Sequence, residues 1–130
     1  MSTPIHQEVV FNGNPKRLYE TLTEAKKFSA LTGAPAEISH EAGGTFSLFG
    51  GMISGRSIEL APDQRVVQAW RARSWPEGIY SIVKFELQAQ GSETRLIMDH
   101  LGFPEDQRDH LASGWHKNYW EPLQKFLEAH

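Results

Sequence analysis

Residues 65–88, RVVQAWRARSWPEGIYSIVKFELQ, decide the fold. The flanks, 65–73 and 80–88, read as β-strands, and SWPEG between them supplies proline early and glycine late, the order that type I turn geometry favours. Both flanks are long for strands. Because every strand twists in the same hand, long strands coil the sheet strongly and leave one face concave.

Upstream and downstream, the turn punctuation continues: Gly43-Gly44, Gly50-Gly51, Pro62-Asp63 and Gly91-Ser92 divide residues 36–101 into short apolar runs. An antiparallel meander is the economical reading. Gly50-Gly51 suits a two-residue hairpin turn, whose central positions need positive φ. Before the meander, IHQEVVF at residues 5–11 alternates and predicts a first strand. Asn14-Pro15 then opens a short helix: the Asn side chain caps it, proline fills its first position, and Leu18 and Leu22 form its buried face. Thr23 is expected to cap a second short helix with Phe28 and Leu31 inward, ending at Thr32-Gly33. After the meander, Pro104, Glu105 and Asp106 suit a helix start. Leu111, Trp115, Tyr119, Leu123 and Phe126 follow at spacings of three and four, an apolar stripe that can fill the concave sheet. Gly114 is expected where the helix backbone packs closely on the sheet, and Pro122 where the helix bends or its regular part ends.

The sequence has 130 residues, 39% of them hydrophobic, without internal repeat or linker, so one domain over residues 1–130 is expected. A net charge of −3 with scattered signs gives no footprint for nucleic acid and no polybasic membrane patch. No apolar run approaches the ~20 residues of a membrane span, and the first residues lack a secretory pattern, so a cytoplasmic location is expected. With no cysteine there are no disulfides and no thiolate chemistry.

A strand, two short helices, a coiled meander and a long last helix describe an α+β helix-grip fold, that of the START and birch-pollen-allergen superfamily, also called SRPBCC. Within it, GGTFSLFGGMISGRSIELAPDQRVVQAWR (43–71), SWPEG (74–78) and GWHKNYWEPLQKFL (114–127) resemble the C-terminal domain of the activator of the heat-shock protein 90 ATPase and its stand-alone relatives. The resemblance covers nearly the whole chain. It implies a non-enzymatic, stress-linked or chaperone-associated module whose partner is a heat-shock protein 90-type chaperone. The eukaryotic co-chaperone also has a separate N-terminal domain, so the resemblance extends to one of its domains.

Candidate chemistry is sparse. His110 and His116, six apart, lie on different faces of a helix and cannot grip one metal ion together. Asp106 and His110, four apart, read as a solvated helix-start pair. His100 shares a strand face with Leu96 and Met98, where a neutral, hydrogen-bonded histidine is the commoner outcome than a general base; no nucleophile or oxyanion motif accompanies it. No catalytic residue, metal or cofactor is assigned. Phe46, Leu48, Trp70, Phe85, Trp115 and Tyr119 either line a cavity for a small apolar ligand, as in ligand-carrying relatives, or interdigitate as a filled core. Arg71, Arg73, Trp75 and Pro76 have the composition of an interface hot spot, in which Trp75 is partly exposed; the alternative is that Trp75 folds down as a lid on the end of the sheet.

Overall fold

The computed structural model describes residues 3–129. Strands β1 (Ile5–Asn12), β2 (Glu37–Ile38), β3 (Thr45–Leu48), β4 (Ile53–Ala61), β5 (Arg65–Ala72), β6 (Ser81–Gln90) and β7 (Glu93–Leu101) form one antiparallel sheet in the order β1-β7-β6-β5-β4-β3-β2. Helices α1 (Pro15–Thr23) and α2 (Ala25–Thr32) follow β1. At the C-terminal end come α3 (Arg108–Gly114), a π-helical stretch (Trp115–Trp120) and α4 (Glu121–Ala129). Among the described residues no helix is long and apolar enough to cross a membrane.

Local chemistry explains the first elements. Asn14 caps α1 by accepting from the Arg17 backbone N–H at 2.9 Å, and Pro15 occupies the first turn. Gly33 ends α2 at φ 74°, a left-handed position that glycine adopts without strain. Thr23, however, caps nothing. Its hydroxyl donates to the Tyr19 carbonyl, and Glu24 takes the cap position of α2 without a side-chain bond.

Three turns differ from their sequence reading. The β3–β4 connection is the four-residue loop 49–52 rather than a two-residue turn: Leu48 pairs with Ile53, and Phe49, Gly50 and Gly51 all have positive φ. The Phe49 ring thereby lands edge-on against Phe28 and Tyr119, and aromatic burial offsets the backbone cost. In SWPEG, Pro76 accepts from the Ile79 N–H while Gly78 sits third at φ 84°, the sign of a type II turn rather than type I. Glu105–Gln107 is a 3₁₀ turn, so the helix proper starts at Arg108 and Asp106 forms no ion pair with His110.

The sheet coils as its long strands require. A bulge at Ser57/Glu59 bends β4 against β5. At Gly55, backbone and rings approach so closely that a Cβ would collide with the Ala69 carbonyl and crowd the Phe46 ring. The concave face holds Val66, Trp70, Val83, Phe85, Leu96 and Met98, all buried, with Trp115, Trp120 and Leu123 packed among them. Gln7 of β1 ties the helix to the sheet edge: its amide donates to the Ala112 carbonyl at 3.0 Å and accepts the Trp120 indole N–H at 2.7 Å.

The apolar stripe of the last helix is not one α-helical face. The wide turns over Trp115–Trp120 bring residues five apart into line, so Trp115 and Trp120 stack at 5.5 Å and both are buried together with Tyr119. Beyond them Leu127 is fully buried and Phe126 only half-buried. Pro122 does not end the helix: it lies in the first turn of α4, directly after the π stretch, whose last bond runs from the Glu121 N–H to the His116 carbonyl. Gly114 does not touch the sheet. A Cβ there would meet only the Asn118 amide, at 3.5 Å.

Candidate functional site

The six residues expected around a sheet–helix cavity divide into two groups. Phe46, Leu48 and Phe85 are buried in the hydrophobic core. Trp70, Trp115 and Tyr119 line a pocket of about 520 Å³ that opens between the 49–53 loop, the end of β5 and the α3–π junction. This free volume lies at one end of the grip. Its wall also includes Phe49, Met52 and Leu111, with Arg73, Ser74, Gln107, His110 and Asn118 as polar lining.

The floor of this pocket is built from rings. Trp70 contacts Trp75 and Trp115 at centroid distances of 5.7 Å, and Trp115 contacts Tyr119 at 4.3 Å. The Trp70 indole N–H and the Tyr119 hydroxyl are sealed from solvent and have no hydrogen-bond partner of good geometry among the described residues. Burial pushes the Tyr119 phenol well above its usual range, so it remains neutral; the nearby Trp70 N–H offsets this only in part.

Behind the floor lies a polar chain that the sequence reading caught only in part. His100 is completely buried. The Trp115 indole N–H donates to His100 Nδ1 at 3.1 Å, so Nδ1 is the acceptor and Nε2 carries the proton. That Nε2–H points at Ser81 Oγ, 2.7 Å away, and the Ser81 hydroxyl donates onward to the Trp70 carbonyl at 3.0 Å. Every polar group in the chain is satisfied with histidine neutral. Burial lowers the His100 pKa to about 3, because an imidazolium there would have no water and no counter-charge. A serine and a histidine at 2.7 Å look like a nucleophile and its base, but the hydroxyl proton is committed to a carbonyl and neither side chain is open to a substrate. The pair serves packing. Ser81 was missed in sequence because nothing marks it: it stands at the head of β6, one strand away from His100.

The SWPEG turn is the second feature. Trp75, expected to be partly exposed, is 5% exposed and packs on Trp70. The turn Ala72–Trp75, closed by the Trp75 N–H on the Ala72 carbonyl at 3.0 Å, folds the ring back over the end of the sheet, which corrects the view of Trp75 as an exposed contact residue. Arg71 stabilises that return by donating to the carbonyls of Trp75, Pro76 and Ile79. Its guanidinium also lies over the Tyr80 ring, 5.8 Å from the centroid. Arg73 and Pro76 are exposed, and Arg73 has no ion pair among the described residues. Beside the turn the convex face carries an apolar group that sequence reasoning overlooked: Ile79, Tyr80, Ile82 and Leu101 are 36–52% exposed, and Ile82 and Leu101 are register partners across β6 and β7. The pattern signal was present as consecutive apolar residues at a strand head, which serve no core facing one side.

His110 and His116 are both exposed, and among the described residues no group of three or more His, Cys, Asp or Glu side chains could hold a metal ion. The model for the family described as Activator of Hsp90 ATPase homolog 1-like protein matches residues 12–128. The human Activator of 90 kDa heat shock protein ATPase homolog 1 is 31% identical over 115 residues, which cover 88% of this chain and 34% of that protein. The Hsp90 co-chaperone AHA1 of Saccharomyces cerevisiae is 25% identical over 124 residues, covering 91% and 35%. This chain thus spans about a third of the length of these curated relatives. The crystal structure of an HSP90 activator from Plasmodium falciparum superposes with a TM-score of 0.92 at 26% identity, covering 98% of this chain and 97% of that one. A match over this extent, in sequence and in fold, places the chain in the family of activator of Hsp90 ATPase homolog 1-like proteins.

Proposed function

We propose that the chain is a non-enzymatic, chaperone-associated module that binds a heat-shock protein 90-type chaperone in the cytoplasm. The observation that carries this reading is the family match over residues 12–128, together with relatives named for that activity. The surface best suited to the contact is the SWPEG turn and the convex patch beside it: Arg71 and Pro76 at the turn, Arg73 at its margin, and Ile79, Tyr80, Ile82 and Leu101 as the apolar centre. Trp75 acts from beneath, holding the turn in place. An exposed apolar group framed by arginine has the make-up of a binding hot spot, and its backbone is already fixed by the sheet.

Calorimetric titration against the chaperone from the same cell tests this. Wild type is expected to bind saturably, and the double substitution Tyr80→Ala with Leu101→Ala to weaken binding by ~2 kcal/mol or more with little loss of stability, since both side chains are largely outside the core. Equal binding by the variant would move the contact elsewhere. No binding by wild type would remove the chaperone reading.

A second reading, a binding protein for a small apolar molecule, is favoured by the pocket at the end of the grip. Its volume of about 520 Å³ lies in the usual range of small-molecule sites, and aromatic rings form its floor.

A further inference from the structure

The pocket has a polarity and a charge that narrow what it would hold. Its deep wall is made of Trp70, Trp115, Tyr119 and Phe49, and the two polar tips in that wall, the Trp70 N–H and the Tyr119 hydroxyl, are sealed from contact. A ligand seated there meets aromatic rings and finds no free hydrogen-bonding group in the floor, so the seated part must be apolar, and flat if it is to stack. The polar groups are different in kind. Arg73 is exposed, lines the pocket and has no ion pair among the described residues, whereas the nearby Arg71 donates to three carbonyl groups. His110, Gln107 and Asn118 add donors from the helix side, and no Asp or Glu lines the pocket. In a chain of net charge −3, a pocket with one uncommitted guanidinium and no carboxylate is a local positive site.

Gly114 contributes to the same design. It costs the helix about 1 kcal/mol relative to alanine and no sheet contact requires it. It lines the pocket, and the missing side chain keeps that wall open. The glycine is thus accounted for by the space beside it.

Resting on the small-molecule reading above, we infer that the pocket binds a flat aromatic monocarboxylate, its ring system on the floor that Trp70 and Trp115 form together and beside Phe49, and its carboxylate on Arg73. The planar guanidinium fork matches a carboxylate in two parallel hydrogen bonds, and one unpaired cation balances one negative charge.

The probes are 2-naphthylacetate and its neutral isostere 2-naphthylacetamide, titrated into the whole chain with calorimetry and with NMR shifts of the tryptophan indole N–H groups as readouts. The acid is expected to bind at least about tenfold more tightly than the amide, the size of one charge-assisted hydrogen-bonded pair. Arg73→Gln should bring the acid down to the affinity of the amide and leave the amide unchanged. Gly114→Leu, which fills the open wall while improving helix propensity, should abolish binding of both, with thermal unfolding confirming that the variant is folded. Equal affinity of acid and amide for wild type would overturn the carboxylate inference and leave the small-molecule reading standing. Binding of neither probe, or shifts that spare Trp70 and Trp115, would overturn both.

Discussion

Replacing Trp115 by alanine is expected to lower stability by about 3–5 kcal/mol, the range for deleting a fully buried large aromatic side chain. The ring is 2% exposed and touches Trp70, Phe85, His100, Tyr119 and Trp120, so its removal opens a void at the point where helix and sheet meet. It also withdraws the only donor to His100 Nδ1 among the described residues and leaves a buried acceptor unpaired. Trp115→Phe separates these effects, keeping most of the ring volume while losing the N–H. Urea unfolding of the three proteins is the measurement. A midpoint for Trp115→Ala close to wild type would contradict the packing described here.

The second large effect is on acid stability. His100 is neutral in the folded chain, with a pKa lowered to about 3 by burial, whereas in the unfolded chain it titrates at its ordinary value near 6.5. Below pH 6.5 the unfolded state takes up a proton that the folded state refuses, so the stabilisation is whole above 6.5 and is lost as the pH falls. The slope approaches about 1.4 kcal/mol per pH unit and sums to on the order of 4 kcal/mol near pH 3. His6 acts with the opposite sign. Hydrogen bonds to Glu8 and then Asp99 raise its pKa, so its contribution is present below 6.5 and fades as the pH rises through the folded value; being fully exposed, it is screened by solvent. Comparing wild type with His100→Gln isolates the buried group, because the carboxylates and His6 are common to both. Unfolding free energies at pH 4 to 7 should show the variant losing the His100 slope; parallel curves would mean that His100 takes up its proton alike in the folded and unfolded chain.

The parts of this fold that were legible in the sequence are those governed by short-range chemistry. Asn14-Pro15 marks a capped helix start, Gly33 its partner's end, and the alternation of residues 5–11 fixes which side of β1 is buried, because each of these is decided within a few residues. The meander order followed from turn residues alone. What could not be read depends on contacts distant in sequence. The π stretch is invisible to a three-and-four count, although the adjacent aromatics Tyr119 and Trp120 with Pro122 just beyond them are its trace. Trp75 is a different case: the Ala72–Trp75 turn, the packing on Trp70 and the Arg71 bonds to the turn carbonyls that fold it inward are all local, but its composition is equally that of a surface hot spot. The candidate pocket was half legible: Trp70, Trp115 and Tyr119 were identified as wall residues, but Phe49, with its positive φ, and Gly114, with its open side, depend on where the 49–53 loop meets the helix.

The proposed binding of a heat-shock protein 90-type chaperone by the convex side of the SWPEG hairpin can be measured by amide hydrogen exchange of the chain with and without the chaperone. Slowed exchange is expected in residues 74–82 and 99–102 on adding the chaperone, with residues 108–120 unchanged. Exchange that is unaltered throughout, or slowed only around the pocket at residues 49–53 and 110–119, would contradict it.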